Sequence, residues 1–121
     1  MNRTRMLAAA GLAALTTGVL ASSAGAAASG GTLVASVSDP LNISLTQGGK
    51  KVTKLKAGAY TITVKDQAAD HNFHLTGPGV NKSTSVSAKG TSTWKVTLKK
   101  GTYKFVCDPH KSFMKGSFTV S

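Results

Sequence analysis

The sequence is poor in negative charge and in cysteine. Of its 121 residues four are acidic, Asp39, Asp66, Asp70 and Asp108, and none is Glu. They offer no carboxylate pair suited to acid–base work, so catalysis of that kind is not expected. Arginine is absent beyond Arg5, and the remaining thirteen cations are all Lys. With no guanidinium to grip phosphates and base edges, nucleic-acid binding is not expected either. The single Cys, Cys107, cannot form a disulfide within the chain. It is a free thiol, a partner for another chain, or a ligand. No segment carries a helical pattern of apolar residues.

The first 28 residues read as a segment apart. Arg3 and Arg5 form a basic head, Met6 to Leu20 a mostly apolar run, and Ala21 to Gly30 a small-residue stretch with A-x-A patterns at Ala24–Ala26 and Ala26–Ala28. That is the anatomy of a secretory signal peptide, expected over residues 1–28. The apolar run is shorter than the roughly 20 residues that span a bilayer comfortably, which argues against a retained anchor. No Cys sits near the cleavage region to carry a lipid, and the two Arg are not adjacent as in a twin-arginine signal. Residues 29–121 then form one domain in an exported protein: periplasmic, envelope-bound or extracellular. The chain's formal charge is +11, and loss of the two Arg leaves +9. Such a surface suits acidic or anionic partners.

Beyond Gly30 the apolar pattern has period two. Tyr60, Ile62 and Val64 alternate with polar residues, as do Trp94, Val96 and Leu98, then Tyr103, Phe105 and Cys107, then Phe118 and Val120. Thr32–Val37 and Leu41–Thr46 fit two earlier strands, separated by Ser38-Asp39-Pro40. Turn signals recur at Gly48-Gly49, Ala57-Gly58, Gly77-Pro78-Gly79, Lys89-Gly90 and Lys100-Gly101. About seven short strands in this length predict an all-β, antiparallel Greek-key β-sandwich. Trp94 is assigned to its core.

Three residue types gather near the C-terminal end: Cys107, His110 three residues later, and Met114 four after that. Two imidazoles, one thiolate and a weak thioether suit a single copper ion that cycles between oxidation states, because soft and borderline donors together serve both. Pro109 stiffens the turn between Cys107 and His110. Zinc accepts a Cys and two His as well, but its structural sites usually carry more thiolates. The second imidazole must come from His71 or His74. In Asp70-His71-Asn72-Phe73-His74-Leu75 the pleat places His71 on one face with Phe73 and Leu75, and His74 on the other with Asn72. His71 therefore points into the core, at the beginning of its strand. If that strand lies antiparallel to the one ending at Cys107, both ligands meet at one pole. Met114 is the only Met beyond the signal segment, and it is the candidate axial ligand.

The segment C-D-P-H-K-S-F-M after an aromatic-rich strand, with H-N-F-H upstream, resembles the small blue copper proteins of the cupredoxin family, of the plastocyanin, amicyanin and pseudoazurin kind. The resemblance covers essentially all of residues 29–121. It implies copper ligation by His71, Cys107, His110 and Met114, with Asn72 steadying the ligand loop and hydrogen-bonding near the thiolate. Three residues separate His110 from Met114, an interval between the amicyanin and plastocyanin lengths, which leaves the axial bond open.

These readings predict a monomeric one-electron carrier rather than an enzyme. A second copper centre, as in multicopper oxidases and nitrite reductases, has too few histidines here. The alternative is a protein that holds or delivers copper, since the same donors serve both. Pro109, Phe113 and Pro78 are expected to form an apolar docking patch around His110 for redox partner proteins. Lysines around it would steer acidic partners.

Overall fold

The computed structural model describes residues 29–121, and the segment expected to be a signal peptide lies outside the described residues. Among the described residues ten strands form: β1 Ser29–Ser38, β2 Asn42–Gln47, β3 Lys50–Lys51, β4 Lys54–Leu55, β5 Gly58–Asp66, β6 His74–Gly77, β7 Val80–Ser83, β8 Gly90–Leu98, β9 Gly101–Val106 and β10 Lys115–Val120. They build two five-stranded sheets, ordered β3-β2-β1-β5-β8 and β4-β10-β9-β6-β7. Among the described residues no helix is long and apolar enough to cross a membrane.

The alternation in the sequence is the alternation in space. In β5 the side chains of Tyr60, Ile62 and Val64 are buried while their neighbours face outward, and β9 buries Tyr103 and Phe105 in the same way. Leu33, Ala35 and Val37 from β1, Leu45 from β2, Val96 and Leu98 from β8 and Phe118 and Val120 from β10 fill the space between the sheets. Trp94 is only partly buried and packs against the edge of that core, 6.2 Å from the Phe73 ring. Phe73 stacks on Phe105 and Tyr103 on Phe118, each pair at 5.3 Å between ring centroids.

Two glycines make room for these rings. Gly116 pairs with Phe105 across β10 and β9, and a Cβ on it would lie 2.3 Å from the Phe105 ring. Gly77, at the end of β6, stands so close to Tyr103 that a Cβ on it would lie 2.1 Å from the ring. The Tyr103 hydroxyl accepts the Lys99 N–H at 2.8 Å and lies 3.0 Å from the Pro78 carbonyl, which closes the β8–β9 turn onto the β6–β7 turn.

The sandwich differs from the expected one in two respects. It is not wholly antiparallel: β1 runs parallel to β5, and β10 parallel to β4. The chain passes from one sheet to the other between β3 and β4 and back between β4 and β5, so β5 returns beside β1 in the same direction. The strand count also exceeds seven, because β3 and β4 are two-residue pieces and β7 is a short polar strand whose partner is β6.

This topology collects one set of chain ends at a single pole. The ends of β1, β5 and β9 and the beginnings of β2, β6, β8 and β10 all lie there. The other pole carries the β3–β4 segment and the β6–β7 and β8–β9 turns.

Candidate metal centre

β6 and β9 are antiparallel, with His74 opposite Val106, so the residues just before β6 lie beside those just after β9. His71 and Cys107 occupy those positions and are both buried. His71 precedes the strand instead of beginning it, yet it still turns inward with Phe73, as the pleat predicts. After Cys107 the chain makes a short 3-10 turn, Asp108–His110, with Pro109 in its first positions. The His110 N–H donates to the Cys107 carbonyl at 2.9 Å, and the Met114 N–H to the His110 carbonyl at 2.9 Å. The Cys107 N–H donates to the Met114 carbonyl, also at 2.9 Å. These bonds fold the loop back on itself and bring His110 to the buried sulfur.

The result is a compact triangle. Nδ1 of His71 and Nδ1 of His110 stand 3.2 Å apart, and each lies 3.6 Å from Sγ of Cys107. The centre of such a triangle is about 2.0 Å from every corner, within the reach of imidazole nitrogen and thiolate toward a first-row metal ion (about 2.0–2.3 Å). Two nitrogens bunched against a sulfur in a buried place make poor hydrogen-bonding partners for one another. They make a good nest for a cation. The Nε2–H of His71 donates to the Pro40 carbonyl at 2.9 Å, which fixes the tautomer and leaves the Nδ1 lone pair aimed at the centre.

Asn72 ties the two ligand-bearing segments together. Its backbone N–H points at Cys107 Sγ, 3.4 Å away. Its side-chain carbonyl accepts the Asp108 N–H at 2.7 Å, and its amide donates to the Asp108 carboxylate at 2.8 Å and to the Thr84 carbonyl at 3.3 Å. Thr84 extends the brace: its hydroxyl accepts the Phe73 N–H at 2.9 Å and donates to the buried Asp66 carboxylate at 3.0 Å.

His74 faces away from the triangle, on the Asn72 side, as the pleat predicts. Its Nδ1 lies 3.0 Å from Asp108 Oδ1 and its Nε2 2.7 Å from Asn81 Oδ1. The hydrogen bonds to Asp108 and to Asn81 favour the charged imidazolium and hold its pKa above the ordinary histidine value. Burial pushes the Asp108 carboxyl up, but hydrogen bonds from His74 and Asn72 outweigh it and keep the pKa below the usual carboxylate range.

Met114 is fully buried, at the end of the loop that starts at Cys107. Phe113 is 67% exposed, and its ring centroid lies 6.5 Å from that of the half-buried His110. Pro109 is exposed beside them. The other large exposed hydrophobic among the described residues is Leu41, which follows Pro40 and so lies at the same pole. Pro78 does not join them. It lies in the β6–β7 turn at the opposite pole, against Gly101, because β6 carries the chain away from His71 before Pro78 is reached. Two of the four acids, Asp39 and Asp70, stand exposed beside His71, and the exposed Lys111 follows His110 in the loop.

The family model described as a cupredoxin-like domain matches residues 11–120. This chain belongs to the cupredoxin-like family. Solved structures similar to this cupredoxin include reduced rusticyanin, with 20% identity, a TM-score of 0.54 and coverage of 74% of this chain and 78% of the other. Rusticyanin from Thiobacillus ferrooxidans is similar at 19% identity and a TM-score of 0.51, over 74% of this chain and 76% of that one. At such identities the likeness concerns the fold. No curated protein sequence matches this chain. The cupredoxin domain and the His71–Cys107–His110 cluster together accommodate a single copper ion, and nitrogen and thiolate donors at these spacings fit it.

Four residues of the site were not singled out from the sequence for these roles. Pro40 and Asp39 reach His71 from the β1–β2 turn, Asp108 receives Asn72 and His74, and Thr84 braces the loop from beyond β7. Short polar side chains in turns carry no periodic signal, so nothing in the local pattern marks them.

Proposed function

We propose that the protein is an exported one-electron carrier, with residues 1–28 as the secretory leader and residues 29–121 as the working domain. The triangle of buried His71 and Cys107 with half-buried His110, beside an exposed apolar rim, carries this reading. Bound there, copper supplies a single electron in alternating oxidation states. The chain supplies a rigid donor set: the backbone bonds within 107–114 and the Asn72 bridge hold the ligand positions through the cycle, so little rearrangement accompanies transfer. Met114, buried at the end of the same loop, would supply a further, weak thioether donor. Pro109 holds the turn that presents His110, and Asn72 donates its N–H toward the sulfur and limits the movement of its loop.

His110 is half-buried, and its ring is the route of the electron to the surface. Phe113, Pro109 and Leu41 around it form the contact face for a redox partner protein, apolar at the centre and of mixed charge at the rim. Such a face makes brief encounters rather than a lasting complex. The protein acts as a monomer and not as an enzyme.

Protein-film voltammetry of the copper-loaded protein, run beside a transfer assay to a copper(I) chelator, tests the carrier role. A reversible wave with retention of copper over many cycles is expected. Rapid loss of copper to the chelator, with a sluggish wave, would instead mark a protein that holds or delivers the metal.

A further inference from the structure

The fold concentrates net positive charge at one end of the molecule, because the lysines at the metal end, Lys65, Lys89, Lys111 and Lys115, are matched by the four acids. Six of the thirteen lysines, Lys50, Lys51, Lys54, Lys56, Lys99 and Lys100, lie at the pole opposite the metal centre, and all are exposed. They come from three separate stretches: β3, the region around β4, and the β8–β9 turn. None of the chain's four acids is there. Asp39, Asp70 and Asp108 stand around the ligands, and Asp66 is buried below them. A terminal carboxylate on Ser121, whose carbonyl accepts the Ala57 N–H, would offset one of the six and leave the sign unchanged.

The same pole is where the preceding chain enters the fold. β1 begins at Ser29, opposite Ala59 at the start of β5, and the Gln47 amide at the end of β2 donates to the Gly30 carbonyl at 3.1 Å. The residues upstream of that entry include the apolar run Met6 to Leu20.

We propose that this lysine-rich end is a docking surface for an anionic phospholipid membrane, and that docking leaves the copper end facing solution. Lysines spread over three segments do not converge on one point, as they would for a compact anion. They present a broad charged face, which suits an extended negative plane. Lysines close to such a plane each strengthen attachment about fivefold, so a group of six is a substantial anchor that weakens with salt. The chain also enters the fold at this end, at Ser29, so any attachment through the preceding residues would put the same face toward a bilayer. Neither feature involves the copper ligands, so the inference stands apart from the electron-transfer reading.

The test is sedimentation of the full chain, copper-free and copper-loaded, with vesicles of neutral phosphatidylcholine or of phosphatidylcholine with phosphatidylglycerol. Two variants are compared with the parent. One carries Lys50→Gln, Lys51→Gln, Lys54→Gln and Lys56→Gln. The other loses equal charge elsewhere through Lys65→Gln, Lys82→Gln, Lys89→Gln and Lys95→Gln. The segment before Ser29 is common to all three, so any apolar insertion cancels in the ratio of anionic to neutral binding. That ratio is expected to fall about 100-fold or more in the first variant and less than about tenfold in the second. Equal losses in the two variants would show that net charge alone acts and would overturn the proposal. So would a parent protein indifferent to phosphatidylglycerol, or one that ignores vesicles while binding soluble polyphosphate through the same lysines.

Discussion

The Asp39 carboxylate stands 3.1 Å from Nε2 of His71, while Nδ1 of the same ring faces Cys107 at 3.6 Å. One side of the imidazole is thus turned to the metal position and the other to a negative charge. The Pro40 carbonyl, 2.9 Å away, shares the Nε2 proton. Negative charge behind a ligand makes it more basic and favours the more highly charged state of the metal.

Replacing Asp39 with Asn should therefore raise the reduction potential and weaken Cu(II) binding more than Cu(I) binding, by about tenfold. The Asp39 side chain is 69% exposed, so the effect should shrink as salt rises. Asp70→Asn should do less, since its carboxylate is 3.9 Å from the same nitrogen. Voltammetry at low and high ionic strength measures both. An unchanged potential in Asp39→Asn would remove the carboxylate from the account.

The pair formed by His74 and Asp108 sets a pH dependence. The His74 pKa is raised in the folded protein, so its contribution is fully present below the unfolded value of about 6.5 and is lost as pH rises through the folded value. The Asp108 pKa is lowered, so its contribution is present above about 3.9 and is lost as pH falls through the folded value. The His74→Gln variant should accordingly be less stable than the parent between about pH 4 and 6.5, with the gap closing toward pH 9. Both side chains are partly exposed, so the gap should stay under about 1 kcal/mol. Urea unfolding of the copper-free protein across this range reads it. A gap that widens with pH would reverse the assigned sign.

Asn72 is buried, and its amide satisfies groups on two other segments. Asn72→Leu leaves the Asp108 N–H and the Thr84 carbonyl without that partner, and should cost about 2–3 kcal/mol in urea unfolding of the copper-free protein. The copper-loaded variant should also show a broadened, shifted visible band, because the Asp108 end of the ligand loop is released. A purely structural role would lower stability and leave the band unmoved.

Gly116→Ala forces a Cβ to within 2.3 Å of the Phe105 ring and should cost about 1–3 kcal/mol. Ser117→Ala, at the exposed neighbouring position, should change stability by less than about 0.5 kcal/mol. Thermal unfolding of the two variants compares them directly.

Much of this arrangement is legible in the sequence, and what is not has definite reasons. Alternation of apolar and polar residues locates β5 and β9, and the period-two reading of Asp70–Leu75 gives His71 and Phe73 inward and His74 outward, although residues 71–73 precede β6 and Asn72 is buried as well. The direction of strand pairing is not written in a period-two pattern, so the parallel β1–β5 pair could not be read from it. Lys50–Lys51 and Lys54–Leu55 are too short and too exposed to show alternation. Pro78 follows His71 by only seven positions, which suggests proximity. Yet the four residues of β6, at about 3.3 Å each, carry the chain roughly 13 Å toward the other pole. Asp39 is 32 positions from His71, and only the tertiary fold brings them together.

The most direct test of the account is the visible absorption spectrum of the protein with one equivalent of Cu(II), taken beside the Cys107→Ser variant. An intense thiolate-to-copper band is expected at about 600 nm in the parent and none in the variant, with His71→Ala and His110→Ala also losing it. A colourless parent, or a band that survives in Cys107→Ser, would contradict the assignment of Cys107, His71 and His110 as one copper site.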